Sequence, residues 1–247
     1  MTVLNLPVGL DDRPLPRRVG LVTLATDHTT EVDFAALPPR GIGVYATRIP
    51  FANPVTPETL GAMAGDVSQA AALILPDEEL EAVVYSCTSA SVVIGDDRVR
   101  AAIRAGKPGA EPITPISAGF AALRALGADR ITLLTPYTRE TTQPMADCFE
   151  AGGFALQEVA SLGMTDDRAM ARLSHDTIIA AARAAAAPGS QALFIACTAV
   201  RAAGIAGQIE DAIGLPVVSA NLATLWAAMR ACGDTGPALP GQLMRLP

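Results

Sequence analysis

Charge is scarce in this 247-residue chain: 17% of its residues are Asp, Glu, Lys or Arg, and the net charge is −7. Such a surface offers no basic face to nucleic acid, and an anionic ligand would need local donors. Aromatic residues are scarcer still, at 4%. Two histidines and four cysteines, with no CxxC or HExxH spacing, argue against a typical zinc site. No apolar run approaches the roughly 20 residues that span a bilayer. The amino-terminal "MTVLNLPVGLDDRPLPRR" has a short apolar part broken by Pro7, with arginines after it rather than before, unlike a signal peptide. The expectation is a cytoplasmic protein with no membrane or nucleic-acid partner, whose four cysteines are reduced thiols.

Apolar residues, by contrast, make up half the chain, which secures a packed core. Short β-branched runs alternate with longer Ala/Leu-rich segments of helical period, the pattern of βαβ units around a parallel sheet. The predicted strands are Arg18–Leu24, Gly43–Arg48, Ala82–Ser86, Pro112–Pro115, Arg130–Thr135, Phe154–Ser161, Ala192–Ala196 and Pro216–Ser219. The main helices are predicted at Pro57–Leu75, Ser117–Leu126, Thr142–Ala151 and Ser174–Ala187.

The chain also repeats itself. "RVGLVTLATDHTT" from Arg18 and "RITLLTPYTRETT" from Arg130 align without a gap. "YSCTSAS" and "IACTAVR" then place Cys87-Thr88 and Cys197-Thr198 at the ends of two apolar strands. "TPISA" from Thr114 corresponds to "LPVVSA" from Leu215. Features recurring in one order indicate a duplicated unit. The predicted fold is α/β: two pseudosymmetric doubly wound (Rossmann/flavodoxin-like) halves with four-stranded, mainly parallel sheets. Residues 1–127 with 220–247 form one half and 128–219 the other. Ligands of such sheets bind beyond the carboxyl ends of the strands, so a site is expected in the cleft between the halves, with Cys87 and Cys197 on opposite walls.

A thiol beside a helix amino terminus has its thiolate favoured, and the hydroxyls of Thr88, Ser89 and Thr198 can hold a carboxylate. Two thiols flanking one carbon allow racemisation, one taking a proton as the other gives one. They equally allow addition of one thiolate to an activated double bond while the other thiol delivers a proton. Neither scheme calls for a metal or an organic cofactor. A lone Cys at a buried strand end is more often a packing residue; the duplication reverses that balance. Cys148, Cys232 and Trp226 read as packing residues. Tyr137 offers a phenolic donor or a half-buried loop aromatic, His28 an acid, a base or a cap, and Asp166 and Asp167 a plain helix cap.

At "SCTSAS", "LLTPYT", "DDRAMAR" and "FIACTAVRA" the chain resembles the Asp/Glu racemase superfamily, in the branch of maleate cis-trans isomerase and arylmalonate decarboxylase. The resemblance runs from about Arg17 to Ala231. It implies two α/β halves, cofactor-independent chemistry in the cleft, a small carboxylate substrate and a homodimer or higher homo-oligomer. Cys87 matches the isomerase cysteine that adds to maleate, and Cys197 the cysteine that the decarboxylase retains as proton donor. Thr88, Ser89 and Tyr137 match carboxylate-binding groups. The decarboxylase has glycine at the Cys87 position, which argues against that activity. His28 and Asp167 stand where the isomerases carry asparagines that hold substrate carboxylates. They imply a different ligand, one with an ammonium or amide donor. "ATDHTTE", "PFANPVTPE" and "YSCTSASVVIGDD" are most similar to the ectoine-utilisation group called EutA. That similarity implies a racemase or epimerase acting on an intermediate of ectoine breakdown such as an N-acetylated diaminobutyrate. Maleate cis-trans isomerisation is the alternative, with decarboxylation or non-catalytic carboxylate binding behind it.

Overall fold

A computed structural model describes residues 1–247. Its eight strands are β1 (Arg17–Leu24), β2 (Ile42–Ile49), β3 (Ala82–Tyr85), β4 (Glu111–Ile113), β5 (Arg130–Tyr137), β6 (Ala155–Met164), β7 (Ala192–Ile195) and β8 (Val217–Ser219). They form two four-stranded sheets, ordered β2-β1-β3-β4 and β6-β5-β7-β8, and all pairs are parallel. The two orders are the same pattern used twice, as the repeat implies. β3 and β7 are buried along their whole length, because helices cover both faces of the sheets and the strands therefore read as continuous apolar runs.

Eleven helices surround the sheets: α1 (Thr30–Phe34), α2 (Pro57–Gly61), α3 (Val67–Ala72), α4 (Thr88–Ile94), α5 (Asp96–Gly106), α6 (Pro115–Ala125), α7 (Arg139–Ala151), α8 (Asp167–Met170), α9 (His175–Ala185), α10 (Ala206–Ile213) and α11 (Ala220–Ala231). The segment predicted as one helix over Pro57–Leu75 is broken. α2 gives way to a tighter 3-10 turn at Ala62–Gly65 before α3 resumes. Its apolar side stays buried throughout, at Leu60, Met63, Val67, Ala71 and Ile74, so the periodicity is right. Gly61 and Gly65 weaken the helix between them. α7 begins a turn before the predicted Thr142, with Pro144 inside it.

β5 runs two residues past its predicted end, through Pro136 to Tyr137. Proline cannot donate to a sheet ladder, and the pairing with β6 slips register between Thr135 and Tyr137. The bulge carries Tyr137 into the protein interior rather than into a loop. The helices after β4 and β8 start alike: Thr114 caps α6 and Ser219 caps α11, each accepting a backbone N–H three residues on. This pairs Thr114 with Ser219, where the motif comparison had set Ser117 opposite it. α11 packs on α6, α1 and β3. No helix is long and apolar enough to cross a membrane.

Candidate active site

The carboxyl ends of β1, β3, β5 and β7 enclose a cavity of about 10 Å³, room for roughly one water molecule. Leu24, Phe51, Val55 and Leu60 supply its apolar wall; Cys87, Ser89, Tyr137, Asp167, Cys197 and Thr198 supply the rest. Larger hollows of about 480 and 410 Å³ open elsewhere on the surface, but neither is lined by a cysteine. A segment from the first sheet covers the small cavity. Val55 N–H donates to the Thr165 carbonyl at 2.9 Å, and the Asn53 amide bonds Asp166 Oδ1 at 3.0 Å and Asp167 N–H at 3.1 Å.

Most of the expected site residues meet here. Cys87 and Cys197 are buried and free, and both line the cavity. Cys87 Sγ lies 3.7 Å from Ser89 Oγ. Tyr137, 2% exposed, sets its phenol against Cys197 and Ser89. Thr88 is fully buried beside Cys87, and its Oγ1 has no hydrogen-bond partner. A buried hydroxyl without a partner is costly, although Thr88 itself is not part of the cavity wall. Thr198 Oγ1 donates to the Ser86 carbonyl at 3.2 Å. His28 is exposed and not part of the cavity wall.

Asp166 and Asp167 divide the roles that the sequence left joined. Asp166 is the α8 cap, accepting from Arg168 N–H at 2.9 Å. Asp167 turns inward, buried, and accepts from Thr26 Oγ1 at 2.5 Å. Burial holds its carboxyl above the usual range, with Asp27 and Asp166 adding to the effect and Thr26 and His28 opposing it. No Lys or Arg lines the cavity.

The thiols differ from expectation in one respect. Cys87 precedes α4 as its N-cap, yet burial pushes its thiol up to about 12 against the pull of the Ala90 N–H and Ser89. Burial likewise raises Cys197, with Asp167 adding repulsion. Desolvation of a charge outweighs a nearby helix end. Burial therefore disfavours the thiolate at both sulfurs.

The cysteines also differ from each other. Cys87 has φ −154 and leads directly into α4. Cys197 has φ +79, and no α-helix starts until Ala206. A left-handed backbone at a non-glycine residue is strained by about 1–3 kcal/mol and persists where its surroundings enforce it. Beneath the turn lies a polar cluster that the sequence did not disclose. Thr29 Oγ1 donates to the Thr198 carbonyl. Asn221 Nδ2 donates to the same carbonyl at 2.9 Å and to Asp33 Oδ2 at 2.8 Å.

The family model for arylmalonate decarboxylase matches residues 35–244. A maleate isomerase of Nocardia farcinica is 30% identical over 237 residues, 91% of this chain and 93% of its own. The solved structure of a cysteine-to-serine mutant of the Nocardia farcinica maleate cis-trans isomerase, with a covalently bound succinylcysteine intermediate, superposes with TM-score 0.84. The match is 27% identical and covers 93% of this chain and 98% of that one. A double mutant of arylmalonate decarboxylase in its liganded form superposes with TM-score 0.81 at 27% identity, over 92% of this chain and 98% of that one.

Proposed function

This chain belongs to the arylmalonate decarboxylase family, and on that premise we propose that it is a cofactor-independent cis-trans isomerase of a small unsaturated dicarboxylate such as maleate. The observation that carries the reading is the pair of thiols facing one enclosed cavity. Transfer of the Cys87 proton to solvent water as the substrate enters gives the nucleophile. Its Sγ bonds to one alkene carbon while the other carbon takes the Cys197 proton. The former double bond is then single and rotates. Cys197 recovers the proton, the C–S bond breaks and the trans isomer leaves. Thr88, Ser89 and Tyr137 hold the carboxylate whose charge grows during addition. The succinylcysteine of the Nocardia farcinica relative is what such an addition would produce. At about 10 Å³ the cavity is smaller than a four-carbon acid, and the contacts of Asn53 and Val55 with Thr165–Asp167 help to enclose it.

One observation favours a second reading. Asp167 places a carboxyl in a wall that holds no Lys or Arg; ionised, it repels a second carboxylate and attracts an ammonium or amide donor. Racemisation or epimerisation of an amino-acid derivative, such as an N-acetylated diaminobutyrate from ectoine breakdown, would use the same thiols as base and acid. Relatives that are maleate isomerases weigh toward the first reading. Proton NMR in deuterium oxide separates the two. Fumarate from maleate supports cis-trans isomerisation. No fumarate, with solvent deuterium entering the α-carbon of the diaminobutyrate, replaces it with racemisation.

A further inference from the structure

The Cys197 turn lacks something its counterpart has. Thr88 is the first residue of α4, so the helix ladder takes up its carbonyl. Thr198 follows a left-handed Cys197 and begins no helix, so its carbonyl needs a partner from elsewhere. Two side chains distant in sequence supply it, Thr29 Oγ1 from the loop after β1 and Asn221 Nδ2 from the first turn of α11. Asp33 on α1 takes the other Nδ2 proton of Asn221.

Three further facts mark this as a built clamp. Asn221 is 1% exposed, yet its Oδ1 has no partner: the amide is turned so that both donors are used and the acceptor is sacrificed. Thr29 is held in turn, its N–H donating to Asp27 Oδ1 at 2.9 Å. The first half has no such clamp. The gapless repeat sets Met145 opposite Asp33, and the equivalent caps Thr114 and Ser219 set Ile116 opposite Asn221. Where the cysteine backbone is relaxed, the counterparts of Asp33 and Asn221 are thus apolar and buried, while Thr141, the counterpart of Thr29, turns its hydroxyl to the Val55 carbonyl at 3.4 Å.

We propose that Thr29 and Asn221, with Asp33 orienting Asn221, are positioning residues that hold the Thr198 carbonyl and so keep Cys197 in the left-handed backbone that directs its thiol into the cavity. The inference rests on Cys197 being a reacting thiol, although its geometric part stands without any assigned substrate. Thr29→Val keeps shape and removes the donor; Thr29→Ser keeps the donor. Iodoacetamide labelling followed by peptide mass spectrometry gives the Cys197 rate relative to Cys87 in one sample, so general loosening of the fold cancels. The expected result is a change of about 10- to 100-fold in that ratio for Thr29→Val, with Thr29→Ser within about threefold of wild type. An unchanged ratio in Thr29→Val, or a Thr29→Ser variant altered as much as Thr29→Val, overturns the proposal. With maleate as substrate, Thr29→Val should lower kcat by a similar factor at nearly constant KM; a rise in KM alone at constant kcat overturns it as well. If no substrate turns over, the labelling ratio still decides the clamp and only the proposed function fails.

Discussion

Ser86–Ser89 and Ala196–Ala199 occupy the same place in two copies of one fold, and they have diverged in backbone more than in sequence. Both are buried, both follow a central strand, and both present a thiol to one cavity. In the first, Cys87 is extended and a helix uses the carbonyls that follow. In the second, Cys197 is left-handed and two side chains distant in sequence, Thr29 and Asn221, bond the Thr198 carbonyl. Local hydrogen bonding stabilises one thiol and long-range hydrogen bonding the other. A pair of equivalent residues can thus come to differ in how rigidly, and from where, each sulfur is held.

The largest effects should come from the thiols themselves. Cys87→Ser and Cys197→Ser are each expected to lower maleate turnover by roughly 10³- to 10⁴-fold, about 4–5 kcal/mol of barrier. A variant retaining a tenth of wild-type rate would remove that residue from the mechanism. The strands that carry them should also separate the halves. Phe194 on β7 is fully buried, its ring centroid 4.7 Å from that of Phe149, whereas Val84 takes the matching place on β3. Urea unfolding should show Phe194→Ala costing about 3–5 kcal/mol and Val84→Ala about 2. Equal costs would mean that the two sheets are packed alike despite their side chains.

Asp33 sharpens the contrast through pH. Its carboxyl, facing Asp27 and the Asn221 amide, is raised from 3.8 to about 6 chiefly by burial. The folded state therefore holds this proton more tightly than the unfolded state. The resulting stability is complete below about 4 and is lost as pH rises through about 6, by at most about 3 kcal/mol. Asp33→Asn should remove that part of the pH dependence of the urea midpoint between pH 4 and 7. An identical pH profile would show that Asp33 titrates normally. Smallest of all, Tyr137→Phe removes a phenolic O–H that faces Cys197 and whose oxygen faces the Ser89 hydroxyl. A loss of about tenfold in kcat is expected, and a wild-type rate would leave the phenol a packing role.

The duplication, the parallel sheets and the cavity's thiols were legible because each depends on short stretches of chain: an apolar run, a cysteine at its end, a capping hydroxyl after it. What escaped detection depends on residues far apart. Asn221 in an Ala/Leu-rich helix carries no local sign that it reaches Thr198. Nor does Asp33 read differently from any acid in a first helical turn. Asp167 and Asp166 look alike in sequence, and only the fold shows that one caps and the other is buried in the wall. The thiol acidity expected from a helix terminus was reversed by burial, which no local pattern reports.

The most direct test of two thiols acting on one substrate is a mass measurement on Cys197→Ser after incubation with maleate. With Cys87 free to add, solvent supplying the proton to the other carbon and no thiolate at position 197 to take it back, an adduct of maleate mass should accumulate on the Cys87 peptide. It should vanish in the protein carrying both Cys87→Ser and Cys197→Ser. An unmodified Cys87 in Cys197→Ser, or the same adduct in the doubly substituted protein, would contradict the account.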